Sequence, residues 1–309
     1  MIELKGITKK FDNTIVLDNI DLTINKGTAF GLLGSNGAGK STILRLLSGV
    51  YNQEGGNLTI DGDTVYDNVE TKKRVFFVND ETAQFSGYTL TELKNFYKHY
   101  YPNFSEELFE KMRLTINLPT DKKISTFSKG MKRQAIVIIA LACQTDYLLL
   151  DEAFDGLDPT MRIIVKRMLV DAMIDRQLTT IISSHNLKEI NELCDTVALL
   201  HNGKIVFSRD LDSVKGNIHK VQVVFSQSNE NQSQDYTIEE LAGEGLEILH
   251  FEKSQSVYHI IVKGDTELVK KKIQEKNPVV LDIIPLSLEE IFIYEMEVLG
   301  YDFNSLENK

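Results

Sequence analysis

Apolar and polar residues alternate along the first part of the chain, and this period of two predicts β-strands. Up to residue 27 the apolar positions of this pattern are Ile2, Leu4, Ile7, Ile15, Leu17, Ile20, Leu22 and Ile24. Alternation turns one face of each strand towards a core, so we expect short antiparallel strands here. Residues 57–65 contain an Asp-Gly pair at Gly62, which is typical of a tight turn and predicts a further hairpin.

Short apolar runs then alternate with segments of helical periodicity. Strands are predicted at residues 28–33, 74–78, 147–150 and 179–183, and a hairpin is predicted within residues 196–207. Helices are predicted at residues 42–47, 128–143, 159–174 and 187–194, with two more between 89 and 114 that Pro102 separates. Strands that alternate with helices indicate a largely parallel sheet, which binds ligands at the carboxyl ends of its strands.

The pattern changes near residues 214–216. Beyond this point strands are predicted at 219–227, 247–253, 256–263 and 279–285, and helices at 266–275 and 288–299. We therefore expect a large domain over residues 1–215 and a small α+β domain over residues 216–309. A chain of 309 residues is also long for a single core.

Composition and charge exclude some classes of function. A net charge of −11 argues against a general nucleic-acid-binding protein, which needs a basic face to neutralise phosphates. The longest apolar run, residues 135–143, is far shorter than the roughly 20 residues that span a bilayer. Cys143 and Cys194 lie among apolar residues without zinc or disulfide spacing, which predicts buried free thiols in a reducing compartment. A soluble, cytoplasmic protein is expected, with membrane contact only through a partner.

Residues 34–41 carry the clearest chemical signal. They read Gly34-Ser35-Asn36-Gly37-Ala38-Gly39-Lys40-Ser41 and match the phosphate-binding pattern G-x-x-x-x-G-K-[ST] between a predicted strand and a predicted helix that opens near Thr42. The glycines let backbone N–H groups converge on anionic oxygens at the positive end of the helix. Lys40 is expected to reach the β- and γ-phosphates, and Ser41 to bind Mg²⁺. A glycine-rich turn without a ligand is the disfavoured alternative.

Two further chemical groups end predicted strands. Asp151 and Glu152 close the strand at 147–150, and such a pair is commonplace on a solvated surface. Beside a phosphate loop, Asp151 is instead expected to hold Mg²⁺ and Glu152 to act as general base on the attacking water. His185 follows the strand at 179–183, where a lone histidine is more often structural. Its position after the acidic pair suggests a sensor that donates a hydrogen bond to the γ-phosphate.

A second anion site is suggested at residues 127–131. Ser128 precedes a predicted helix and is readily interpreted as its N-cap. Its hydroxyl and the amide of Gly130 at a helix N-terminus also fit an anion. Two phosphate sites are odd for one nucleotide, but they make sense if the second binds the γ-phosphate of a nucleotide held by another subunit.

Taken in order, these motifs resemble those of the nucleotide-binding subunits of ATP-binding cassette (ABC) transporters over roughly residues 1–215. The resemblance implies that Phe11 stacks on adenine, that residues 34–41 are the Walker A loop and that residues 127–131 are the signature motif. It further implies that residues 147–152 are Walker B with the catalytic Glu152, that residues 155–158 are the D-loop ending in Asp158, and that His185 is the switch histidine. ATP and Mg²⁺ are the implied cofactors.

The implied fold is the α/β P-loop NTPase fold of an ABC ATPase domain, with a mixed-sheet core, an antiparallel β subdomain and a helical subdomain at about 85–145. The sequence departs from the family at two places. Asp80 stands where the family has the Q-loop glutamine, with Asn79 as a possible substitute, and an aspartate there can orient water or meet Mg²⁺. In the signature motif Lys129 replaces a glycine and Met131 a glutamine. Lys129 is expected to be solvated, and a positive charge near the partner's nucleotide is the alternative.

Residues 127–134, 96–104 and 285–292 resemble ABC-2-type exporters of Gram-positive bacteria, including those that handle antimicrobial or surfactant-like peptides. The resemblance implies a head-to-tail homodimer, or a heterodimer with a paralogue, in which each ATP lies between the Walker A loop of one subunit and Ser128 and Gly130 of the other. It also implies an integral membrane permease that docks near Asp80 and residues 85–101.

Two other function classes remain as alternatives. A soluble ABC ATPase of translation or DNA maintenance is disfavoured because the chain has one cassette, no coiled coil between residues 42 and 128 and an acidic balance. A non-hydrolysing regulatory or scaffold protein is disfavoured because Lys40, Glu152 and His185 are all present. The domain at 216–309 could dimerise, regulate hydrolysis or bind an effector.

Overall fold

The computed structural model describes residues 1–79, 85–216, 218–225, 237 and 246–298. The chain divides into two compact units, Met1–Arg209 and Asp210–Lys309. Asp80, which the sequence singles out, lies outside the described residues.

The first unit contains two sheets. In the described residues the antiparallel sheet has the order β2-β1-β4-β5, and the second sheet has the order β10-β9-β3-β8-β7-β6. Their strands are β1 (Ile2–Phe11), β2 (Thr14–Ile24), β3 (Ala29–Leu33), β4 (Gly55–Ile60), β5 (Asp63–Thr64), β6 (Val75–Val78), β7 (Tyr147–Asp151), β8 (Thr179–Ser183), β9 (Thr196–His201) and β10 (Lys204–Asp210). From β6 to β9 all the pairings are parallel, as the alternation of strands and helices predicts.

Helices surround these sheets. They are α1 (Lys40–Leu47), α2 (Val69–Lys73), α3 (Leu90–Tyr100), α4 (Glu106–Ile116), α5 (Lys129–Ala142), α6 (Pro159–Arg176) and α7 (Leu187–Leu193). α1 packs Leu44 and Leu47 into one core with residues of both sheets, such as Ile20 and Leu149. Because α1 is fixed from both sides, the loop that precedes it has a rigid base.

The observed elements follow the hydrophobic pattern closely. As predicted, α3 and α4 are separate helices, and Thr89 and Ser105 cap them before and after the break at Pro102. The turn between β9 and β10 has positive φ at Asn202 and Gly203, the conformation that a tight hairpin requires. The expectation of short strands at the start of the chain was wrong, because β1 has 10 residues and β2 has 11. The pairing of β1 with β2 contains register shifts. These shifts interrupt the alternation of apolar and polar residues from which strand length is predicted.

The second unit is an antiparallel sheet with helices. It contains α8 (Leu211–Gly216), β11 (Ile218–Phe225), β12 (Glu247–Ser254), β13 (Val257–Lys263), α9 (Thr266–Gln274), β14 (Pro278–Pro285) and α10 (Leu288–Val298). The described strands have the order β12-β13-β11-β14, and α9 packs Val269 and Ile273 against Val221 and Ile260 on one face of the sheet.

Candidate nucleotide-binding site

The loop between β3 and α1 is built on three glycines with positive φ, namely Gly34 at 154°, Gly37 at 81° and Gly39 at 112°. A side chain at Gly34 would meet the carbonyl oxygen of Leu200 at 2.3 Å, and one at Gly39 would meet Leu17 Cδ2 at 2.7 Å. Nothing lies within 4 Å of the corresponding point at Gly37. Gly34 and Gly39 therefore fit the loop against the protein, whereas Gly37 leaves its outer side open to a ligand.

The loop is exposed at its tip and buried at its base. Ser35, Asn36 and Gly37 are exposed, whereas Ala38 and Thr42 are buried. Ala38 N donates to Ser35 O at 3.1 Å and so closes the turn. The exposed tip comes directly before the N-terminus of α1, where an anion is stabilised.

Lys40 lies inside this turn. Its Nζ donates to the carbonyl oxygens of Gly34 at 2.7 Å and Ser35 at 3.1 Å, and only 7% of the residue is exposed. Burial lowers the pKa of Lys40, and the carboxylates of Glu152 and Asp151 act in the opposite direction. A buried cation held by two neutral carbonyls is well placed to pair with a phosphate.

Asp151 faces the loop from the end of β7. Its Oδ1 accepts hydrogen bonds from Ser41 Oγ at 3.1 Å and from Ser183 Oγ at 2.5 Å. β7 and β8 are parallel neighbours with Asp151 opposite Ser183, so the sheet itself brings these two side chains together. The site combines a carboxylate with a hydroxyl, and these oxygen donors fit Mg²⁺, which prefers such ligands and binds with one or two protein groups. Asp151 and Ser41 would hold the ion.

Glu152 and His185 are paired beside this cluster. His185 Nδ1 lies 2.8 Å from Glu152 Oε2, and one oxygen or nitrogen of Glu152, Asp155 and His185 lies within 4.8 Å of the others. Burial raises the pKa of Glu152, and Asp155 adds to this, while His185 and Lys40 lower it. Glu152 also has a positive φ of 48° and donates its N–H to Ser183 O, so its backbone is turned out of the strand direction.

The second predicted phosphate site lies at the N-terminus of α5. Ser128 is exposed and caps this helix by accepting from Met131 N at 3.2 Å. A Cβ at Gly130 would lie 2.8 Å from the carbonyl oxygen of Gly156, so the D-loop packs against this turn. Lys129 is exposed, as predicted, and its methylene groups lie over Gly156.

The remaining candidate residues lie at the edges of the site. Phe11 ends β1 with 39% of its surface exposed and packs edge-on against Tyr51, with ring centroids 5.2 Å apart. Asp158 caps α6 by accepting from the N–H groups of Thr160 and Met161, both at 3.1 Å. These positions leave an aromatic face and a carboxylate at the surface.

Two residues of this region, Ser183 and Arg133, did not stand out in the sequence. Ser183 donates to Asp151, and the register of β7 with β8 could have identified it once the two strands were paired. Arg133 is buried in α5 and donates to the carbonyl oxygen of Asn79 at 3.0 Å, which ties the signature helix to the segment before Asp80. The sequence carries no signal for a bond from a buried arginine to a backbone oxygen so far away.

Comparisons with known proteins show the family of the chain. Residues 17–155 match the family described as ABC transporter. The chain is 29% identical over 293 residues to the ABC transporter ATP-binding protein YtrB of Bacillus subtilis (strain 168), covering 95% of this chain and 97% of that protein. It is 30% identical over 241 residues to the linearmycin resistance ATP-binding protein LnrL of the same organism, covering 74% of this chain and 76% of that protein. The chain therefore belongs to the ABC transporter family of ATP-binding proteins.

The fold is shared with solved members. A dimeric ATP-binding cassette in a post-hydrolysis state with ADP and Pi superposes with a TM-score of 0.58 at 22% identity, covering 68% of this chain and 99% of that one. The predicted fold class is confirmed, and the chain is an ATP-binding subunit of a transporter with ATPase activity. In the part of the chain that the structure describes, no helix combines the length and the apolar character needed to cross a bilayer.

Proposed function

We propose that this subunit powers an exporter through ATP-driven head-to-tail dimerisation. One observation carries the proposal: the chain has two separate places that fit an anion, the loop at 34–41 and the turn at the exposed Ser128 and the half-buried Gly130. A loop that already supplies Lys40 and an open tip does not need a second helix terminus of its own chain. A second copy, or a paralogue, supplies that terminus to the γ-phosphate.

The residues of the site divide the work of phosphoryl transfer. The N–H groups of residues 35–39 and the Lys40 ammonium hold the phosphates, and His185 donates a hydrogen bond to the γ-phosphate. Glu152 accepts the proton of the attacking water, and its raised pKa suits it to proton transfer. Asp151 and Ser41 would hold Mg²⁺, which would neutralise negative charge on the phosphates.

Asp155 and Asp158 extend the site towards the partner. Asp155 adds negative charge beside Glu152 and His185. Asp158 opens α6 from an exposed position, so the D-loop is available to a second subunit. Phe11 is exposed and ready to stack on adenine. Asp80, which lies outside the described residues, is a further proposed ligand of Mg²⁺.

An exposed aromatic patch supports a permease partner. The patch consists of Phe85, Tyr88, Phe96 and Tyr100, whose rings contact one another, and it exposes 39% of Tyr88 and 57% of Tyr100. Clustered aromatic residues at a surface are typical of protein interfaces. We propose that a cytoplasmic helix of an integral membrane permease binds here, which would place this subunit at the inner face of the membrane.

Export of a peptide or another antimicrobial is the proposed transport reaction. The linearmycin resistance protein among its relatives supports this direction, as do the exporter-like segments of the sequence. A soluble ABC ATPase without a transport role is the second candidate function.

A fractionation experiment separates these two functions. In cells that also produce the neighbouring permease, the wild-type subunit is expected in the membrane pellet. Tyr88→Ala combined with Tyr100→Ala is expected to move it to the supernatant without changing the ATPase rate of the purified subunit. Leu114→Ala is the matched control, because Leu114 exposes 65% of its surface on α4 outside the patch. A wild-type subunit that stays in the supernatant would favour the second function.

Drug sensitivity tests the direction of transport. Replacing the subunit with Glu152→Gln is expected to sensitise cells to the exported antimicrobial at least several-fold. Resistance gained by the same replacement would show that the transporter imports the compound instead.

A further inference from the structure

Three residues, 184–186, connect β8 to α7, and His185 is the middle one. Its neighbours are fixed by one hydroxyl: Ser184 Oγ accepts from Asn186 N at 3.0 Å and donates to Glu189 Oε2 at 2.8 Å. Ser184 is 1% exposed and Glu189 is 4% exposed. The flanks of the exposed His185 ring are therefore anchored in the interior by a buried carboxylate.

This arrangement is a modified capping box. Asn186 is the N-cap of α7 and Glu189 is its third helical residue. In an ordinary capping box the side chain of that third residue accepts directly from the N–H of the N-cap. Here the Ser184 hydroxyl stands between the two, so the carboxylate of Glu189 fixes the residue before His185 as well as the one after it.

The other oxygen of Glu189 faces a second element of the site. Glu189 Oε1 lies 3.7 Å from Arg162 Nη1 on α6. Arg162 donates its backbone N–H to the carbonyl oxygen of Asp158 at 2.9 Å, so it lies one turn after the D-loop. Within the described residues Arg162 Nε is buried and has no hydrogen-bond partner. The distance of 3.7 Å is longer than a hydrogen bond, and among the described residues Arg162 Nε is an unused donor. A small movement of either side chain would therefore shorten this ion pair to a hydrogen bond.

We infer that Glu189 is a positioning residue for ATP hydrolysis, which holds His185 through Ser184 and joins it to the D-loop helix through Arg162. The inference rests on the proposed role of His185 at the γ-phosphate. A buried carboxylate requires such partners, since an unpaired charge in the interior is strongly unfavourable. The same bonds orient the backbone that carries His185, and small displacements of a catalytic group lower rates steeply.

Substitution of Glu189 has a matched control on the same two helices. Lys166 of α6 and Glu192 of α7 form a second ion pair at 2.7 Å, in which Glu192 is 58% exposed. Glu192→Gln removes that pair and leaves the turn at His185 intact. Glu189→Gln is expected to lower kcat about tenfold with the KM for ATP within twofold of wild type. Glu192→Gln is expected to keep both constants within twofold.

The decisive readout is the combination with His185→Ala, measured by single-turnover hydrolysis. If Glu189 acts through His185, His185→Ala with Glu189→Gln is no slower than His185→Ala alone. The inference would be overturned by a double variant about tenfold slower than His185→Ala alone. It would also be overturned if Glu189→Gln hydrolysed ATP at the wild-type rate. A purely structural role would lower the melting temperature but leave the two effects multiplicative.

Ser184→Ala provides the test if Glu189→Gln does not fold. It removes only the hydroxyl between Glu189 and Asn186, and it is expected to show the same loss of kcat and the same lack of additivity with His185→Ala. Failure of the proposed site would look different. His185→Ala would then hydrolyse ATP at the wild-type rate, whatever Glu189→Gln does.

Discussion

The Ser41 hydroxyl oxygen lies 3.1 Å from Asp151 Oδ1, although 110 residues separate them in the sequence. Ser41 is in the first turn of α1, and Asp151 ends β7. The shared core of α1 and the sheet fixes this contact, so the fold itself holds the pair of oxygen donors together. This preorganisation is the structural basis for the proposed Mg²⁺ site.

Ser41→Ala is therefore expected to weaken ATP binding about tenfold in the presence of Mg²⁺ and to leave it unchanged in EDTA, because only the hydroxyl ligand is lost. Fluorescent-nucleotide titration measures both affinities. Ser48→Ala is the control, since the Ser48 hydroxyl at the other end of α1 bonds only to Arg45 O at 3.1 Å in the described residues. Equal weakening with and without Mg²⁺ would contradict the assignment.

Glu152→Gln is expected to reduce turnover at least about 100-fold while ATP binding persists, because an amide cannot accept the proton of the attacking water. ATP then accumulates in a closed dimer that size-exclusion chromatography detects. Hydrolysis at the wild-type rate would remove Glu152 from the mechanism.

Substitution of two glycines in the loop at 34–41 is expected to lower the free energy of unfolding by different amounts. Gly34→Ala places a Cβ 2.3 Å from the Leu200 carbonyl oxygen at positive φ, so we expect a loss of more than about 3 kcal/mol in unfolding free energy. Gly37→Ala meets nothing within 4 Å and bears only the backbone strain, about 1–2 kcal/mol. Urea denaturation compares the two variants. An equal loss would show that the close approach of Gly34 to Leu200 is unimportant.

In the second unit, Glu290 is expected to make a pH-dependent contribution to the free energy of unfolding. Burial raises the pKa of Glu290, but hydrogen bonds from Ser287 and Lys220 outweigh it and lower the pKa below its ordinary value of 4.5. A lowered carboxylate pKa contributes stability above the unfolded-state pKa and loses it as the pH falls through the folded-state pKa. Glu290→Gln is thus expected to destabilise by less than about 1 kcal/mol at pH 7, and the difference should shrink as the pH falls below 4.5 and vanish once the pH is below the folded-state pKa.

Circular dichroism at several pH values measures this difference. Glu289→Gln is the matched control, because Glu289 is the exposed neighbour on the same helix. A penalty for Glu290→Gln that stays constant from pH 7 to pH 4 would contradict the ionic origin of the contribution.

Most elements of the fold could be predicted because their periodicity is local. β8 spans the predicted residues 179–183, and α5 follows Ser128 as the helical pattern indicates. The short helix α2 was not predicted, since its residues Val69–Lys73 include a single buried side chain, Thr71, and so lack an apolar face. Helix α2 instead begins at a cap from Asn68, a signal too common to predict a helix by itself.

The candidate site was predictable where a motif spans contiguous residues and less so where the fold brings distant residues together. Residues 34–41 identify themselves by spacing alone. The partnership of Asp151 with Ser183 depends on the register of β7 with β8, and the bond from Arg133 to Asn79 depends on helix packing. Such contacts between distant segments leave no periodic trace in one sequence.

The central claim is that this chain supplies two halves of different ATP sites, and mixing two inactive variants tests it most directly. Lys40→Ala removes the loop cation, and Ser128→Arg places a bulky cation on the exposed cap of α5. Each is expected to be inactive alone, with Ser128→Arg still binding ATP as a monomer. Mixed together, they form a dimer with one intact composite site, so ATPase activity is expected to return to at least about a tenth of the wild-type rate. Full activity of Ser128→Arg by itself would contradict the claim, because the loop at 34–41 would then be a complete site.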